Sequence, residues 1–328
     1  MTATVWAGDI LSPSSSIALL PFNPFRTNLY TWKDLLGNGT DQNWHYSNSI
    51  DAVCYNFAME KDGHRRADLG ESNGLLLLHD GSIEKALDEY VSKKKVVGIM
   101  GDHSLPRQEK SYDCNGRLVD APYMRIALMA QELSQAGYLV ETGGGPGAME
   151  AGNLGAFFAN GTETDLREAV RKLELVPVSS RTNVEVWLKS AFGVIHNYTN
   201  APGESLGVPT WYYGSEPSNP FATEIAKHFD NSLREDKLLS IANSGIVFTK
   251  GQAGTVQEIF QSACKDYYNA NDNKFRMILF DAGCKNYWDA PDSFLAWPLL
   301  QQLGNKGNFA NSIILTGDID AVVKFLRQ

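Results

Sequence analysis

From Lys95 to the end of the chain, short unbroken apolar runs alternate with longer stretches of helical spacing. Val96-Val97-Gly98-Ile99-Met100, Tyr138 to Thr142, Gly245 to Thr249, Arg276 to Asp281 and Ser312 to Thr316 have the length and continuity of strands buried on both faces. Ser205 to Tyr213 is a further strand candidate. Between these runs, apolar residues recur every three or four positions over 122–136, 147–160, 164–173, 184–195, 222–242, 254–269 and 318–327, which predicts helices. Strands that alternate with helices of this length pair in parallel through right-handed crossovers, so the pattern predicts an α/β, doubly wound parallel sheet covered on both faces. Ligands of such sheets sit beyond the carboxyl ends of the strands.

Residues 1–93 break the pattern. They carry Pro13, Pro21 and Pro24, many Asn, Ser and Gly, and the aromatics Trp32, Trp44, Tyr46, Tyr55 and Phe57, with one clear helical signal at Ser82 to Tyr90. This accessory segment is either an irregular lead-in or a cover over the domain at 94–328, and the sequence does not choose between them. Composition is that of an ordinary globular protein: 328 residues, 43% hydrophobic and 20% charged. A formal net charge of −9 argues against a nucleic-acid backbone or an anionic membrane as partner. Cys54, Cys114, Cys264 and Cys284 form no C-x-x-C pair and read as buried reduced thiols. The start of the chain lacks a basic leader, Ile17 to Phe22 is short and broken by proline, and no run reaches a membrane span, so a cytoplasmic protein is expected.

Two glycine-rich turns sit where strand gives way to helix. The first is Gly143-Gly144-Gly145-Pro146-Gly147-Ala148-Met149-Glu150, and the second is Lys250-Gly251-Gln252-Ala253-Gly254-Thr255-Val256-Gln257-Glu258. Glycine lets the main chain approach an anion, and N–H groups at a helix start point at it. Gly101-Asp102-His103-Ser104 follows the first strand at an equivalent place. The first turn also fits a dinucleotide fingerprint at Gly143, Gly145 and Ala148, but it follows the second strand, and no acidic residue ends a strand some twenty positions on. Plain packing turns would explain one cluster more comfortably than two. His45, His64, His79, His196 and His228 lack metal-ligand spacing, so no metal or other cofactor is expected, and Ser104 and Ser179 lack the setting of a serine nucleophile.

Together the two motifs resemble the Lonely Guy (LOG) family of nucleoside-monophosphate phosphoribohydrolases, long mislabelled lysine decarboxylases. Gly101 to Ser104 and Glu216-Pro217-Ser218-Asn219-Pro220 are similar to one branch, the bacterial pyrimidine/purine nucleotide 5′-monophosphate nucleosidases. The resemblance covers roughly 95–328. It implies a Rossmann-like, LOG-type domain that hydrolyses the N-glycosidic bond of a nucleoside 5′-monophosphate to free base and ribose 5-phosphate, and a homo-oligomer. It places the catalytic carboxylate at Glu258, and a phosphate cradle at Gly251, Gly254, Thr255 and the Gly143, Gly144, Gly145, Gly147 and Met149 turn. Stabilising the positive charge that builds on ribose is work a carboxylate suits.

The motifs also depart from the family. Lys250 stands for proline and adds a cation near the phosphate, and Gln252 stands for glycine and adds bulk. The family's arginine position holds Glu235, with Arg234 one residue earlier, so Arg234 is either the cation at the departing base or a surface residue of its helix. His103 either contacts phosphate or ribose or caps its turn, and Asn219 and Glu216 are candidates for the base or ribose pocket. These departures leave open a non-catalytic nucleotide-sensing protein of the same fold. Single-strand DNA binding would need a basic face, which the net charge disfavours.

Overall fold

The computed structural model describes residues 20–39, 43–60, 66–70, 72–212, 216–268, 275–283 and 287–328. His64, Cys284, Tyr213 and the run before Leu20 lie outside them. A seven-stranded parallel sheet is built from β1 (Val96–Met100), β4 (Leu139–Thr142), β5 (Ser205–Gly207), β6 (Glu224–Ile225), β7 (Gly245–Phe248), β8 (Met277–Phe280) and β9 (Ile313–Thr316). Its order is β6-β5-β4-β1-β7-β8-β9, with β2 (Lys110–Tyr112) and β3 (Leu118–Asp120) forming a separate antiparallel hairpin. This is the doubly wound α/β arrangement that the alternation predicts.

Each central strand is buried throughout because both of its faces are covered, and Glu141 and Thr142 of β4 are the polar residues among them. Val96 and Met100 of β1 join one core cluster with Leu139, Ile246, Phe248, Met277 and Leu279. Val97 and Ile99 join the other with Val140, Val247, Ile278 and Phe280. The second face is covered by α4 (Pro122–Gln135), α5 (Ala148–Phe157), α6 (Glu163–Leu173) and α11 (Ile319–Leu326). The first is covered by α3 (Ser72–Val91), α8 (Asn231–Ser240), α9 (Ala253–Tyr268) and α10 (Ala296–Gly307), while α7 (Val184–Asn197) supplies residues to both clusters. Local chemistry sets the helix starts: proline in the first turn of α4, a Thr162–Asp165 capping box at α6, and an Asp230 side chain that accepts from Ser232 and Leu233 N–H at α8.

Tertiary contacts override the periodicity in three places. The predicted helix over 222–242 is instead a strand followed by a shorter helix. Ala222, Ile225, Ala226 and Phe229 are all buried at helical spacing, but Ala226 N–H donates to Gly207 O at 2.8 Å and Ile225 exchanges hydrogen bonds with Tyr30 at 2.7 and 2.9 Å. Tyr30 thereby covers the sheet edge at β6, which a bare strand would leave open to pairing. The strand expected over Ser205 to Tyr213 ends at Gly207, before Pro209. In the N-terminal segment, α3 runs well ahead of Ser82, its pattern hidden by Gly74 and Gly81, and is preceded by α1 (Trp32–Leu36) and α2 (Ile50–Ala58). Leu76, Ile83, Leu87 and Val91 of α3 pack in one cluster with Val96 and Ile246 of the sheet. The thiols also depart from expectation: Cys54 is buried, but Cys114 and Cys264 are exposed. Among the described residues no helix is long and apolar enough to cross a membrane.

Candidate functional site

The winding direction of the sheet reverses at β1, and the loops that leave β1, β4 and β7 meet there. They are fastened to one another through their backbones. Asp102 N–H donates to Lys250 O at 3.2 Å, Ala148 N–H to Asp102 O at 2.9 Å, and Thr249 N–H to Met100 O at 2.8 Å. Gly147 is the residue that permits this junction. Its φ is +69°, and a Cβ there would overlap Asp102 O and lie 2.6 Å from the His103 carbonyl carbon. Part of the first motif's glycine content therefore serves the His103 loop and not a ligand.

The remainder of the first turn is packed from below and open to named side chains. At Gly143 a Cβ would overlap the Arg234 guanidinium and lie 2.7 Å from Met149 Sδ; at Gly145 it would lie 2.8 Å from Met149 Cε and 3.3 Å from Glu216 Oε2. Met149 thus fills the space two glycines leave. Asn219 is fully buried, and its amide is occupied within the fold: Nδ2 donates to Gly145 O at 3.0 Å and Asn153 Oδ1 at 2.9 Å, while Oδ1 accepts from Phe221 and Ala222 N–H. Its own N–H donates to Gly144 O. Asn219 therefore holds the turn in shape and leaves no polar group for a ligand.

The second turn opens α9. Gly251 sits against Thr255, where a Cβ would overlap Oγ1 and come 2.6 Å from Thr255 Cβ, and Tyr287 Oη donates to Gly251 O at 3.2 Å. Gly254 faces open space, with nothing within 4 Å of a Cβ built on it. Lys250 lies apart from this pairing. Its exposed ammonium stands 5.0 Å from the Tyr287 ring centre and lines a cavity of about 670 Å³ with Asp102, Thr249 and Asp281, away from Glu258 and Arg234. Gln252 reaches back to Asp102, 3.5 Å from Oδ2.

The charged centre lies between the turns. Glu258 is only 8% exposed, and burial pushes its carboxyl up to about 8; Arg234 draws it down, while Glu235 and Glu216 push it further up. Arg234 is 7% exposed and is not a surface residue: Nε donates to Val208 O at 2.7 Å and Nη1 to Glu235 Oε1 at 2.6 Å. The register departure thus resolves into a pair in which Glu235 holds the arginine and Arg234 meets Gly143. Glu141, on β4 beside Gly98, is fully buried with neither carboxyl oxygen hydrogen-bonded, and its carboxyl is held well above the usual range by burial. The Arg234 guanidinium draws the carboxyls of Glu141, Glu216 and Glu258 down alike, against the burial that raises them.

On the other side of the crevice sequence reasoning named Glu216 but missed the N-terminal wall and the ion pair beneath it. Glu216 is half-buried at its edge, burial raises its carboxyl, and its Oε1 lies 3.7 Å from His103 Nδ1. Glu216 also lines a cavity of about 640 Å³ with Tyr46, Tyr55, Asp51, Trp211 and Lys227, so the N-terminal segment supplies one wall. The floor is a buried ion pair: Lys227 Nζ meets Asp51 Oδ1 at 2.5 Å and Ser218 Oγ at 3.0 Å, and Asp51 accepts from Trp211 Nε1 at 3.0 Å. Glu150, the last residue of the first motif, is likewise structural, held bidentately by Arg107 at 2.6 and 2.8 Å and by Tyr123 Oη at 3.0 Å. A glutamate at a motif's end was the only signal for it, and nothing local marks its partner.

Among the described residues no group of three or more His, Cys, Asp or Glu side chains is placed to hold a metal ion. No protein-family model matches the chain, and no curated protein matches it in sequence. Among solved structures, the molybdenum cofactor binding protein from the phototrophic bacterium Rippkaea orientalis is similar over 72% of this chain and 96% of its own, with 12% identity and a TM-score of 0.42.

Proposed function

We propose that the chain hydrolyses the N-glycosidic bond of a nucleoside 5′-monophosphate, releasing the base and ribose 5-phosphate. The observation that carries this reading is the placement of Glu258: a buried carboxyl with its proton affinity raised, one turn into a helix whose start is open at Gly254. From Gly254 to Glu258 is about 6 Å along a helix axis, roughly the span of one ribose. A phosphate on the free amides of the α9 start would be stabilised by the helix dipole and the Thr255 hydroxyl. Its anomeric carbon would then lie near Glu258. As the C1′–N bond breaks, positive charge on the ring favours the ionised form of Glu258. In its dry surroundings that carboxylate is a strong base for the attacking water. The base would leave toward Arg234 and the cavity behind Glu216.

A second reading, nucleotide binding without turnover, is favoured by one feature. Glu141, Glu216, Glu235 and Glu258 surround a single arginine, so a protonated, inert Glu258 is at home there. Base release from a panel of purine and pyrimidine 5′-monophosphates, run beside Glu258→Gln, separates the two. Release that the variant loses supports hydrolysis; no release, with nucleotides still raising Tm, supports binding alone. The resemblance also implies self-association, which sedimentation of the purified chain would test.

A further inference from the structure

Hydrolysis of a nucleotide needs a proton for the departing base as well as a carboxylate for the sugar, and Glu258 faces the sugar side. We propose that His103 is the general acid that protonates the leaving base, with Glu216 and Asp102 as the carboxylates that position its imidazole. This rests on the hydrolytic reading above.

Three observations converge on it. First, the ring stands at the crevice where the three loops meet, with its Nδ1 3.7 Å from both Asp102 Oδ1 and Glu216 Oε1. With both carboxylates on the Nδ1 side, Nε2 is the nitrogen assigned the proton transfer. Second, the backbone beneath it is immobilised, because Ala148 N–H binds Asp102 O and Gly147 presses on the Asp102–His103 peptide. Asp102, not His103, performs the capping of this turn: its Oδ1 accepts from Ser104 N–H at 2.8 Å. The imidazole is thus free of a structural duty, and it is 55% exposed, so solvent can recharge it. Third, Glu216 lies at the edge of the aromatic-walled cavity of about 640 Å³ and beside Gly145, so a base seated toward that cavity passes His103.

The step balances as follows. The electron pair of the C1′–N bond stays with the base, which takes the Nε2 proton of His103. Water adds to C1′ and loses its proton to Glu258. Solvent then returns a proton to His103 and takes one from Glu258.

The test compares two leaving groups on full-length protein. One is a nucleoside 5′-monophosphate that the wild type cleaves; the other is p-nitrophenyl β-ribofuranoside 5-phosphate, whose leaving group departs without protonation. General acids contribute on the order of 10²- to 10⁴-fold. His103→Ala and His103→Gln should therefore lose about 100-fold or more in kcat on the nucleotide and less than about 10-fold on the nitrophenyl substrate. Glu216→Gln should show the same split more weakly, with kcat and not KM affected. Equal losses on both substrates would mean that His103 serves binding or structure, and undiminished rates on both would mean that it does nothing; either result overturns the proposal. A wild type inert on both substrates overturns the hydrolytic reading, and the proposal falls with it. Thermal melting of each variant verifies folding, and the glutamine variant keeps the comparison valid if alanine disturbs the loop.

Discussion

Gly254→Ala separates what the fold needs from what a ligand needs. A Cβ at this position meets nothing within 4 Å, and the residue lies exposed in the first turn of α9. Glycine within a helix costs roughly 0.5–1 kcal/mol relative to alanine, so the substitution should stabilise the unliganded chain by up to that amount, a gain of about 2–4 °C at most in Tm. If phosphate docks on the α9 start, the same methyl group stands where the anion approaches. Losing one hydrogen bond to a charged group, about 1.5–3 kcal/mol, weakens binding roughly 10- to 100-fold. A nucleotide at one hundred times its Kd stabilises the wild type by about 2.7 kcal/mol; after a hundredfold loss the same concentration yields about 0.4 kcal/mol. Differential scanning fluorimetry with and without a panel of nucleoside 5′-monophosphates measures both effects on one plate. A variant that melts slightly higher alone but responds little to nucleotide is the expected result. An undiminished nucleotide response would refute phosphate binding at this helix start.

Gly147→Ala should behave in the opposite way, because the left-handed backbone and the overlap with Asp102 and His103 together cost roughly 2–5 kcal/mol; urea unfolding measures it, and a near-neutral variant would refute the junction described. Glu258, raised in the fold above its ordinary 4.5 to about 8, contributes stability that is full below pH 4.5 and lost as pH rises through 8. The loss is on the order of 5 kcal/mol, and Glu258→Gln should flatten it, so parallel unfolding profiles at pH 5 and 8.5 would contradict the burial argument. His228, lowered from 6.5 to about 4 by burial, acts on the acid side: its contribution is present above pH 6.5 and lost as pH falls through 4, and His228→Phe should hold more of its stability between those values. Asp51→Ala should cost about 3–5 kcal/mol by leaving Lys227 buried without a counter-charge, and Asp51→Leu combined with Lys227→Met should recover much of it; a double variant as unstable as the single one would show that the charge is not the cause.

Much of the architecture was legible along the chain because its signals are local. Continuous apolar runs such as Val96 to Met100 read as strands covered on both faces, and the residues that open α4 and α6 carry their own start signals. The glycine turns announced themselves through their composition, and strand-to-helix order placed them at one end of the sheet; the left-handed backbone that favours glycine is found at Gly144 and Gly147 of the first turn. Burial and long-range proximity left no such mark. The spacing of Ala222 to Phe229 is helical, yet pairing with Gly207 and Tyr30 made it an edge strand. Arg234 reads either as a cation at the departing base or as a surface residue until Val208 O, Glu235 and Gly143 are brought around it. Asn219 reads as a ligand contact until its four hydrogen bonds are counted inside the fold. The succession of the central strands and glycine turns along the chain was thus determined by the sequence, since each depends on a few neighbouring residues, whereas the edge strand β6 and the β2–β3 hairpin were not legible in it. The charge state of Glu258, the company of His103 and the aromatic wall from the N-terminal segment were decided by the tertiary structure, since desolvation and Coulomb forces act between groups that lie from about twenty to more than a hundred residues apart along the chain.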